Sequence, residues 1–584
     1  MKTVKLLIIT LFAINTFASQ QNDASFILLK NEYTINKDGS YTLTCEQKIK
    51  YLTYYAFHRL YGETFIIYNP EIQTLKINRS QTTMADGKIV VAPENTFNEV
   101  LPSWAANSGL YNHYKEMVVT HVGLEIGAIS DLSYTIETKS ATLGQFQVFE
   151  PLRFASPVER LEIIFNVPKG MNFAVNERSQ RNLATTTENE KFIIYTYRFS
   201  DVPANVTYQF STVSSVPHLV AAAGNKSINE LLQNIEPNSN KKAKNITFSD
   251  LDKVLEIQKQ LMNIRTIPVP VQYQLFPVQS PEITLQRNSG TPLEKTLLFQ
   301  KLLADKGFDS EILYEVPKRF FDEKIGNILS VIDNYVFLYI DSVPVAFSAT
   351  KISKTNPIEK RSSTFITKSD SKVNRIENTI NQKLVLNSNI TVTNDKKTKN
   401  IKITNSQIIE MSGEGLPFIH STDNQPKANE ITKEKNAKIT SYNRKNAHKL
   451  SFQIDAETDL KNENNLVQIQ LNPTTIGVDG WNFGTLPDEI SNQFFLPANL
   501  TEENYYEITL PAKSKIFIDE TNQKTSTLFG DMEININIDN NVITVKRKIS
   551  FRTTRISQND YSEFVKMMRT WQSEQYRAFY VQLL

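Results

Sequence analysis

The spacing of apolar residues changes along this chain. From about residue 24 to 213, apolar and polar residues alternate with a period of two, and turn residues such as Asp38-Gly39 and Asp86-Gly87 separate the alternating stretches. This pattern is typical of strands joined by hairpins, because successive side chains of a strand point to opposite faces of the sheet. Many strands with turn residues at regular spacing predict a β-sandwich over residues 24–213.

Beyond residue 214 the period becomes that of a helix. Ser227 and Glu230 have the spacing of a capping box, and another helix is predicted after Ser249. A third helix is predicted from Pro292, because Thr291 is a good N-cap and Pro suits the first helical position. Strand-like alternation then returns at 311–316, 334–340 and 344–347. Residues 214–350 therefore predict an α+β domain.

The last third of the chain is again rich in predicted strands. Residues 351–449 are polar, with strand-like alternation at 384–392 and 400–410. We interpret them as a linker with strands, and for the basic stretch 351–383 we leave open a tether that touches an anionic surface. Residues 450–584 hold the clearest hairpin, at 532–551, and predict a C-terminal β-sandwich. The expected fold class is a multidomain α+β protein.

The N-terminus has the features of a secretory signal. Lys2 and Lys5 precede a short apolar run, Leu6 to Ile14, and small residues follow near Ala18. We predict a signal peptide at residues 1–19, and export to the periplasm or beyond. A buried N-terminal strand or a membrane anchor is the alternative. Since no later apolar run reaches about 18 residues, the mature chain is predicted to be soluble and to have no transmembrane segment.

Composition excludes several kinds of site. The 584 residues include 64 basic and 62 acidic ones, so the charge gives no reason to expect nucleic acid as a partner. Cys45 is the only cysteine, which rules out an intramolecular disulfide and a cysteine metal cluster. It lies in an alternating stretch, where a core position is expected. The six histidines are scattered, and neither a metalloprotease motif nor a nucleotide-binding loop is present. We therefore predict no metal and no cofactor.

Two segments carry a family resemblance. Residues 111–128, read from Tyr111-Asn112-His113 to Gly127-Ala128, resemble a signature of a domain of unknown function. That domain precedes transglutaminase-like domains in exported proteins of Gram-negative bacteria. The chain's ending is similar to the C-terminal sandwich of the same proteins, in which a basic strand precedes the pattern Ile-Ser-x-x-Asp-Tyr seen at 556–561. The resemblance implies three blocks: a β-sandwich, a transglutaminase-like (papain-like) core and a C-terminal β-rich domain.

The middle block resembles the transglutaminase core but lacks its chemistry. In that family a Gly-x-Cys opens a helix, an Asn-His pair on the next strand supplies the base, and an Asp on a following strand orients the His. Gly290 and Asn334 fit this pattern. Pro292, however, stands at the Cys position, Tyr335 at the His position and Ser348 at the Asp position. The resemblance therefore implies a degenerate pocket.

These replacements predict that the domain is not catalytic. Proline cannot act as a nucleophile, and tyrosine, with an ordinary pKa of about 10, is a poor base at neutral pH. We expect a non-catalytic exported protein that binds a protein, peptide or glycan of the cell envelope, with Thr291 and Asn334 as possible binding residues. The alternative is a transglutaminase-like or protease-like enzyme with a non-cysteine nucleophile, Thr291 or Ser289. The simpler interpretation of Thr291 is that it only caps the helix.

Overall fold

The protein forms two compact units, one of residues 1–212 and 216–225 and one of residues 213–215 and 226–584. The computed structural model describes residues 22–106, 111–139, 144–177, 184–204, 218–235, 242–269, 278–317, 321, 325, 327–329, 331–353, 356–359, 363–367, 374–376, 381–395, 397, 400–418, 426–461, 465–481, 483, 486, 490 and 494–584. The predicted signal peptide, residues 1–19, lies outside this part of the chain.

The first unit is built from strands. They are β1 (Ala24–Ile35), β2 (Tyr41–Tyr51), β3 (Glu63–Tyr68), β4 (Gln73–Thr83), β5 (Ile89–Val91), β6 (Phe97–Val100), β7 (Lys115–Thr120), β8 (Ile129–Thr138), β9 (Phe146–Pro151), β10 (Val158–Pro168), β11 (Phe173–Glu177), β12 (Ala184–Glu188), β13 (Phe192–Val202) and β14 (His218–Ala223).

These strands form one large sheet and two small ones. The large sheet has the order β12-β13-β10-β1-β2-β8-β4-β5, and the small sheets are β11-β14-β9 and β3-β7-β6. Residues of β1, β2 and β10 pack against β9 and β14 in one apolar core. Residues of β4 and β8 pack against β3 and β7 in a second, smaller core. This arrangement is a β-sandwich, with hairpins where Asp38-Gly39 and Asp86-Gly87 predict them.

The opposite face of the large sheet is polar. Arg198, Glu162, Lys30 and Glu46 lie side by side on four neighbouring strands. Arg198 Nε lies 3.3 Å from Glu162 Oε1, and Lys30 Nζ lies 3.3 Å from Glu46 Oε1. Alternating charges directly opposite one another favour this strand register.

One carboxyl group is buried inside the sandwich. Glu150 of β9 accepts hydrogen bonds from the Tyr33 hydroxyl and from Asn31 Nδ2, the latter at 3.1 Å. Removal from water raises the pKa of Glu150 to about 7. Cys45 lies buried on the neighbouring strand β2, as the sequence predicts, and burial raises the pKa of its thiol to about 12. An inert thiol in the core is the result.

The first unit extends beyond the predicted boundary at residue 213. β14, at residues 218–223, pairs with β9 and β11 and contributes Leu219, Ala221 and Ala223 to the main core. The sequence does not reveal this, because pairing of β14 with strands some 40 and 70 residues earlier leaves no local signal.

The second unit begins with helices and a mixed sheet. The helices are α1 (Ile228–Ile235), α2 (Leu251–Met262), α3 (Pro281–Arg287) and α4 (Pro292–Asp305). The strands are β15 (Asn245–Ile246), β16 (Arg265–Thr266), β17 (Ser289–Gly290), β18 (Glu311–Pro317), β19 (Asp333–Ile340), β20 (Val343–Phe347), β21 (Ser363–Thr367) and β22 (Asn374–Ile376).

The central strand β19 separates two apolar clusters. Val336, Leu338 and Ile340 point to the side on which α2 and α4 pack. Tyr335 and Phe337 point to the other side, where they meet Phe365 of β21. β18 and β20 flank β19, and β21 and β22 follow β18 in the same sheet. The arrangement is a sheet with helices layered on one face, as expected for an α+β domain.

The rest of the second unit is a strand-rich region with one helix. The strands are β23 (Asn381–Asp395), β24 (Asn400–Gly413), β25 (Lys438–Asn446), β26 (Lys449–Lys461), β27 (Leu466–Gln470), β28 (Phe494–Phe495), β29 (Asn499–Thr509), β30 (Ser514–Phe517), β31 (Thr521–Ser526), β32 (Gly530–Asp539), β33 (Val542–Phe551), β34 (Arg555–Ile556) and β35 (Ala578–Leu583). The helix is α5 (Tyr561–Gln572).

The strands predicted at 384–392 and 400–410, inside the polar segment 351–449, are present and belong to a larger sheet. β23, β24 and β25 belong to an eight-stranded sheet with the order β25-β26-β24-β23-β29-β33-β32-β31. β23 pairs in parallel with β29 over eleven residues, although more than 100 residues separate them in the chain. The strands are polar on their outer face, which gives the segment its linker-like composition. The C-terminal sandwich therefore begins near residue 381, and β21 and β22 extend the preceding sheet.

The inner face of this sheet encloses buried charges as well as an apolar core. α5 and the three-stranded sheet β27-β35-β30 cover it. Arg577 Nη2 lies 2.8 Å from both carboxylate oxygens of Asp479, and Trp571 Nε1 donates to Asp479 Oδ2 at 3.2 Å. This pair is almost closed off from water, so each partner depends on the other for solvation.

No helix in the described part of the chain is both long and apolar enough to cross a membrane.

Candidate functional site

The start of α4 is the place where the sequence predicts a degenerate catalytic site. Thr291 caps the helix, its hydroxyl accepting from Glu294 N at 3.3 Å, and Glu294 Oε2 accepts from Thr291 N at 2.8 Å. This is the predicted capping box, with Pro292 in the first turn. Thr291 is fully buried, whereas Pro292 is only half-buried.

The buried carboxylate of Glu294 binds a second segment to the helix start. Gln279 donates to it twice, from its backbone N at 2.9 Å and from Nε2 at 3.0 Å. Gly290 lies so close that an added Cβ would come within 2.8 Å of Thr284 Cγ2. The space in front of Thr291 is therefore occupied by the protein's own groups. A substrate has no open path to the Thr291 hydroxyl, which supports a capping role for this residue.

One turn into α4, a hydrogen bond joins the helix to the central strand. Thr296 Oγ1 lies 2.6 Å from Asn334 Oδ1 and 2.8 Å from the carbonyl oxygen of Pro292. Asn334 is the first residue of β19 that points towards α4. Both predicted binding residues, Thr291 and Asn334, thus lie at the same end of the helix, but both are buried.

Tyr335 points away from α4. Its hydroxyl donates to Glu315 Oε2 at 2.6 Å and lies 2.8 Å from Asp333 Oδ2. Ser363 donates to the other oxygen of Glu315 at 2.7 Å. Burial and the two neighbouring carboxylates raise the pKa of Tyr335 far above its ordinary value. The hydroxyl therefore stays protonated and cannot act as a base.

The prediction that Pro292 and Tyr335 line one pocket is wrong in this structure. Adjacent residues of a strand face opposite sides, and Asn334 takes the side of α4. The sheet consequently lies between Pro292 and the Tyr335 hydroxyl. Ser348 follows the end of β20; its hydroxyl lies 3.1 Å from Thr350 Oγ1, and its carbonyl accepts from Gln258 Nε2 of α2 at 2.9 Å. These contacts fix the turn after β20 and offer no base.

A different pair of reactive groups meets beside the helix start. Lys295 Nζ lies 3.0 Å from Thr266 Oγ1 and 2.8 Å from the carbonyl oxygen of Ile264. Burial lowers the pKa of Lys295 to about 8. The sequence pattern does not predict this contact, because 29 residues separate Thr266 from Lys295. The parallel pairing of β16 with β17, Thr266 opposite Gly290, brings them together.

The described residues contain no group of three or more His, Cys, Asp or Glu side chains that could hold a metal ion. The carboxylates of Glu315 and Asp333, beside Tyr335, are bridged by the Tyr335 hydroxyl.

Known families match the two ends of the chain. A family model described as a domain of unknown function with solved structure, DUF3857, matches residues 37–205. A second model of the same description, DUF3858, matches residues 464–581. The candidate site around α4 lies between these two matches. No curated protein matches the chain.

Among solved structures, one similar protein extends over almost the whole chain. It is a "putative protease" from Parabacteroides distasonis, 24% identical, with a TM-score of 0.64; the match covers 96% of this chain and 99% of that one. An M1 zinc metallopeptidase from Deinococcus radiodurans is 11% identical with a TM-score of 0.18, covering 41% of this chain and 54% of that one. The second similarity is too low to support a conclusion. The chain therefore shares its multidomain, β-rich fold with the Parabacteroides protein, and its two ends match DUF3857 and DUF3858.

Proposed function

We propose that this chain is an exported, non-catalytic relative of transglutaminase-like proteins, which binds a protein, peptide or glycan of the cell envelope. The proposal includes removal of residues 1–19 by a signal peptidase and a periplasmic or secreted location. The proposed function needs no cofactor.

The observation that carries the proposal is the start of α4. Cysteine-type acyl transfer needs an ionised nucleophile at the helix start and a base that faces it. Here Pro292 takes the position of the nucleophile, and the Tyr335 hydroxyl lies across the sheet, bonded to Glu315. Thr291, the nearest hydroxyl, is buried and engaged in its capping box. Thr291, Pro292 and Tyr335 therefore supply neither the nucleophile nor the base of a cysteine-type acyl transfer.

The test compares the purified protein with a restored variant. The native protein should neither incorporate a fluorescent amine into casein nor cleave casein, and Thr291→Ala should leave this background unchanged. The triple variant Pro292→Cys, Tyr335→His, Ser348→Asp should also stay inactive, because its imidazole would lie on the wrong side of β19. Turnover by the native protein that Thr291→Ala abolishes would overturn the proposal. Turnover by the triple variant would show that the three positions do converge.

Export is tested separately, by sequencing the N-terminus of the protein isolated from its native cells. We expect the chain to begin after Ala18 or Ser19. A chain that retains Met1 in the cytosolic fraction would contradict this part of the proposal.

A further inference from the structure

Lys295 is a buried amine without a counter-ion. Only 1% of its surface is exposed. Its hydrogen bonds go to a carbonyl oxygen, that of Ile264, and to the Thr266 hydroxyl. Within the described residues no carboxylate forms an ion pair with it, and the carboxylate of Glu294 is held by Thr291 and Gln279. Lysine is rarely buried in this way unless a carboxylate neutralises it.

Removal from water favours the uncharged amine. The pKa of Lys295 falls to about 8, so about half of the molecules carry a neutral amine at that pH. A neutral amine has two N–H donors and one lone pair. In the structure the amine donates to the Ile264 carbonyl, at 2.8 Å, and to Thr266 Oγ1, at 3.0 Å. Once the amine is neutral, its lone pair can instead accept the hydrogen of the Thr266 hydroxyl over the same distance. The amine is thus held within the distance that proton transfer requires.

Thr266 lies on the accessible side of this pair. It is half-buried, whereas Lys295 is closed off from solvent. β16 holds it firmly, since Thr266 pairs with Gly290 and Ile267 N donates to the Gly290 carbonyl at 2.9 Å. Thr266 is thus the member of the pair with solvent exposure, so an electrophile would reach its side chain before the amine. This is the order of exposure that a nucleophile and its buried base need.

We propose that Thr266 and Lys295 form a nucleophile–base pair that accepts an acyl group. Thr266 Oγ1 attacks the carbonyl carbon of an activated acyl compound while the neutral amine of Lys295 takes the hydroxyl proton. A new C–O ester bond forms, and the bond to the leaving group breaks, the leaving group departing with the electron pair. Lys295 then carries the proton, which it can return to the leaving group or to water. No oxidant or metal takes part.

The proposal concerns this acylation step, and it is independent of the proposed binding role. A chain that binds no envelope ligand could still be acylated at Thr266. Equally, a chain that is never acylated could still bind its ligand.

The experiment uses the full-length protein with p-nitrophenyl acetate as the probe. Release of p-nitrophenolate gives the rate, and peptide mapping by mass spectrometry gives the acetylated residue. We expect an acetyl ester on Thr266, formed at a rate that rises with pH and levels off above about pH 8, as the amine loses its proton. Thr266→Ser should keep the reaction, and Thr266→Val should abolish the ester at this position.

Variants of two lysines on the same helix separate the base from general charge effects. Lys295→Arg keeps the charge and the hydrogen bond to Ile264 but cannot become neutral, so the rate should fall by about 100-fold or more. Lys301→Met is the matched control, because Lys301 is exposed and pairs with Asp305; it should react at the native rate. Thermal unfolding of each variant confirms that the fold is kept.

Three results would overturn the proposal. The first is the absence of an ester on Thr266 in the native protein. The second is an unchanged rate of ester formation in Lys295→Arg. The third is acetylation of the Lys295 amine in place of the hydroxyl, which would make the lysine the nucleophile.

Discussion

Thr296 Oγ1 and Asn334 Oδ1 lie 2.6 Å apart, so that a buried hydrogen bond joins α4 to the central strand β19. The bond lies one turn after the helix start. It places the face of β19 that carries Asn334 towards α4. It also commits the next residue, Tyr335, to the far side of the sheet. Because neighbouring side chains of a strand face opposite sides, Pro292 and the Tyr335 hydroxyl do not meet.

Loss of this contact should destabilise the second unit. Thr296→Val removes the bond to Asn334 and leaves a buried amide with one partner fewer, at a cost of about 1–3 kcal/mol. Thr570→Val is the matched control, because Thr570 of α5 makes the same hydrogen bond to the carbonyl four residues earlier but no contact of this kind with a strand. Hydrogen exchange of peptides from α4 and β19 measures the change. Equal losses of hydrogen-exchange protection in both variants would show that the hydrogen bond to Asn334 does not contribute to stability.

The Tyr335 hydroxyl should be needed for stability rather than for catalysis. Tyr335→Phe leaves the buried Glu315 carboxyl without a short hydrogen bond, and we expect a loss of about 1–3 kcal/mol in the free energy of unfolding. Tyr339→Phe, on the same strand and the same face, is the control and should change it by less than about 0.5 kcal/mol. Urea titration followed by limited proteolysis measures both. A more stable Tyr335→Phe protein would contradict the expectation.

Glu150 should make the first unit less stable as the pH rises. Its pKa is about 7 in the folded protein and lies near its ordinary value of 4.5 in the unfolded chain, so the folded state holds the proton more tightly. The stabilisation is complete below about pH 4.5 and is lost as the pH rises through about 7, by about 3 kcal/mol in all.

Substitution of Glu150 tests this directly. Glu150→Gln keeps a neutral group in place and should remove this part of the pH dependence, whereas Glu162→Gln, on the open polar face, should leave it. Hydrogen exchange of peptides from β1 and β9, corrected for the intrinsic effect of pH, reports the opening of this unit. The expectation fails if native protein and Glu150→Gln lose stability equally.

The buried ion pair of the C-terminal sandwich should be costly to break. Arg577→Met leaves Asp479 as a buried charge without its partner, and we expect a loss of about 3–5 kcal/mol. Arg552→Met removes a partner from Asp531 at the surface, where an ion pair contributes about 1 kcal/mol or less. Hydrogen exchange of β35 and of the β32–β33 hairpin compares the two variants. Similar losses of stability in the two variants would mean that water reaches the Arg577 side chain.

Features that depend on neighbouring residues could be predicted from the sequence. The hairpins at Asp38-Gly39 and at 532–551 have period-two strands on both sides of a turn, and both are present. The capping box of Thr291 and Glu294 is present too, because it needs only residues three apart. Burial of Cys45 follows from its place on an alternating strand.

Pairing between distant segments could not be predicted in this way. β23 and β24 have the composition of a polar linker because their outer faces are exposed. In the structure they belong to the C-terminal sheet, in which β23 pairs with β29. β14 likewise joins a sheet whose other strands lie far earlier in the chain. The sequence of a polar strand does not indicate which strand it pairs with, because this pairing depends on the core that both strands cover.

By itself, the sequence determined much of the order of strands and helices, and by resemblance it predicted a degenerate pocket at Pro292, Tyr335 and Ser348. Only the tertiary structure decided which side of the sheet each of these side chains faces and which groups it contacts. A shift of one residue along a strand moves a side chain to the opposite face, so the packing of α4 on the Asn334 side, and not the residue types, turned Tyr335 away from Pro292. The same packing brought Lys295 to Thr266, because a parallel pair of short strands placed β16 beside the helix start.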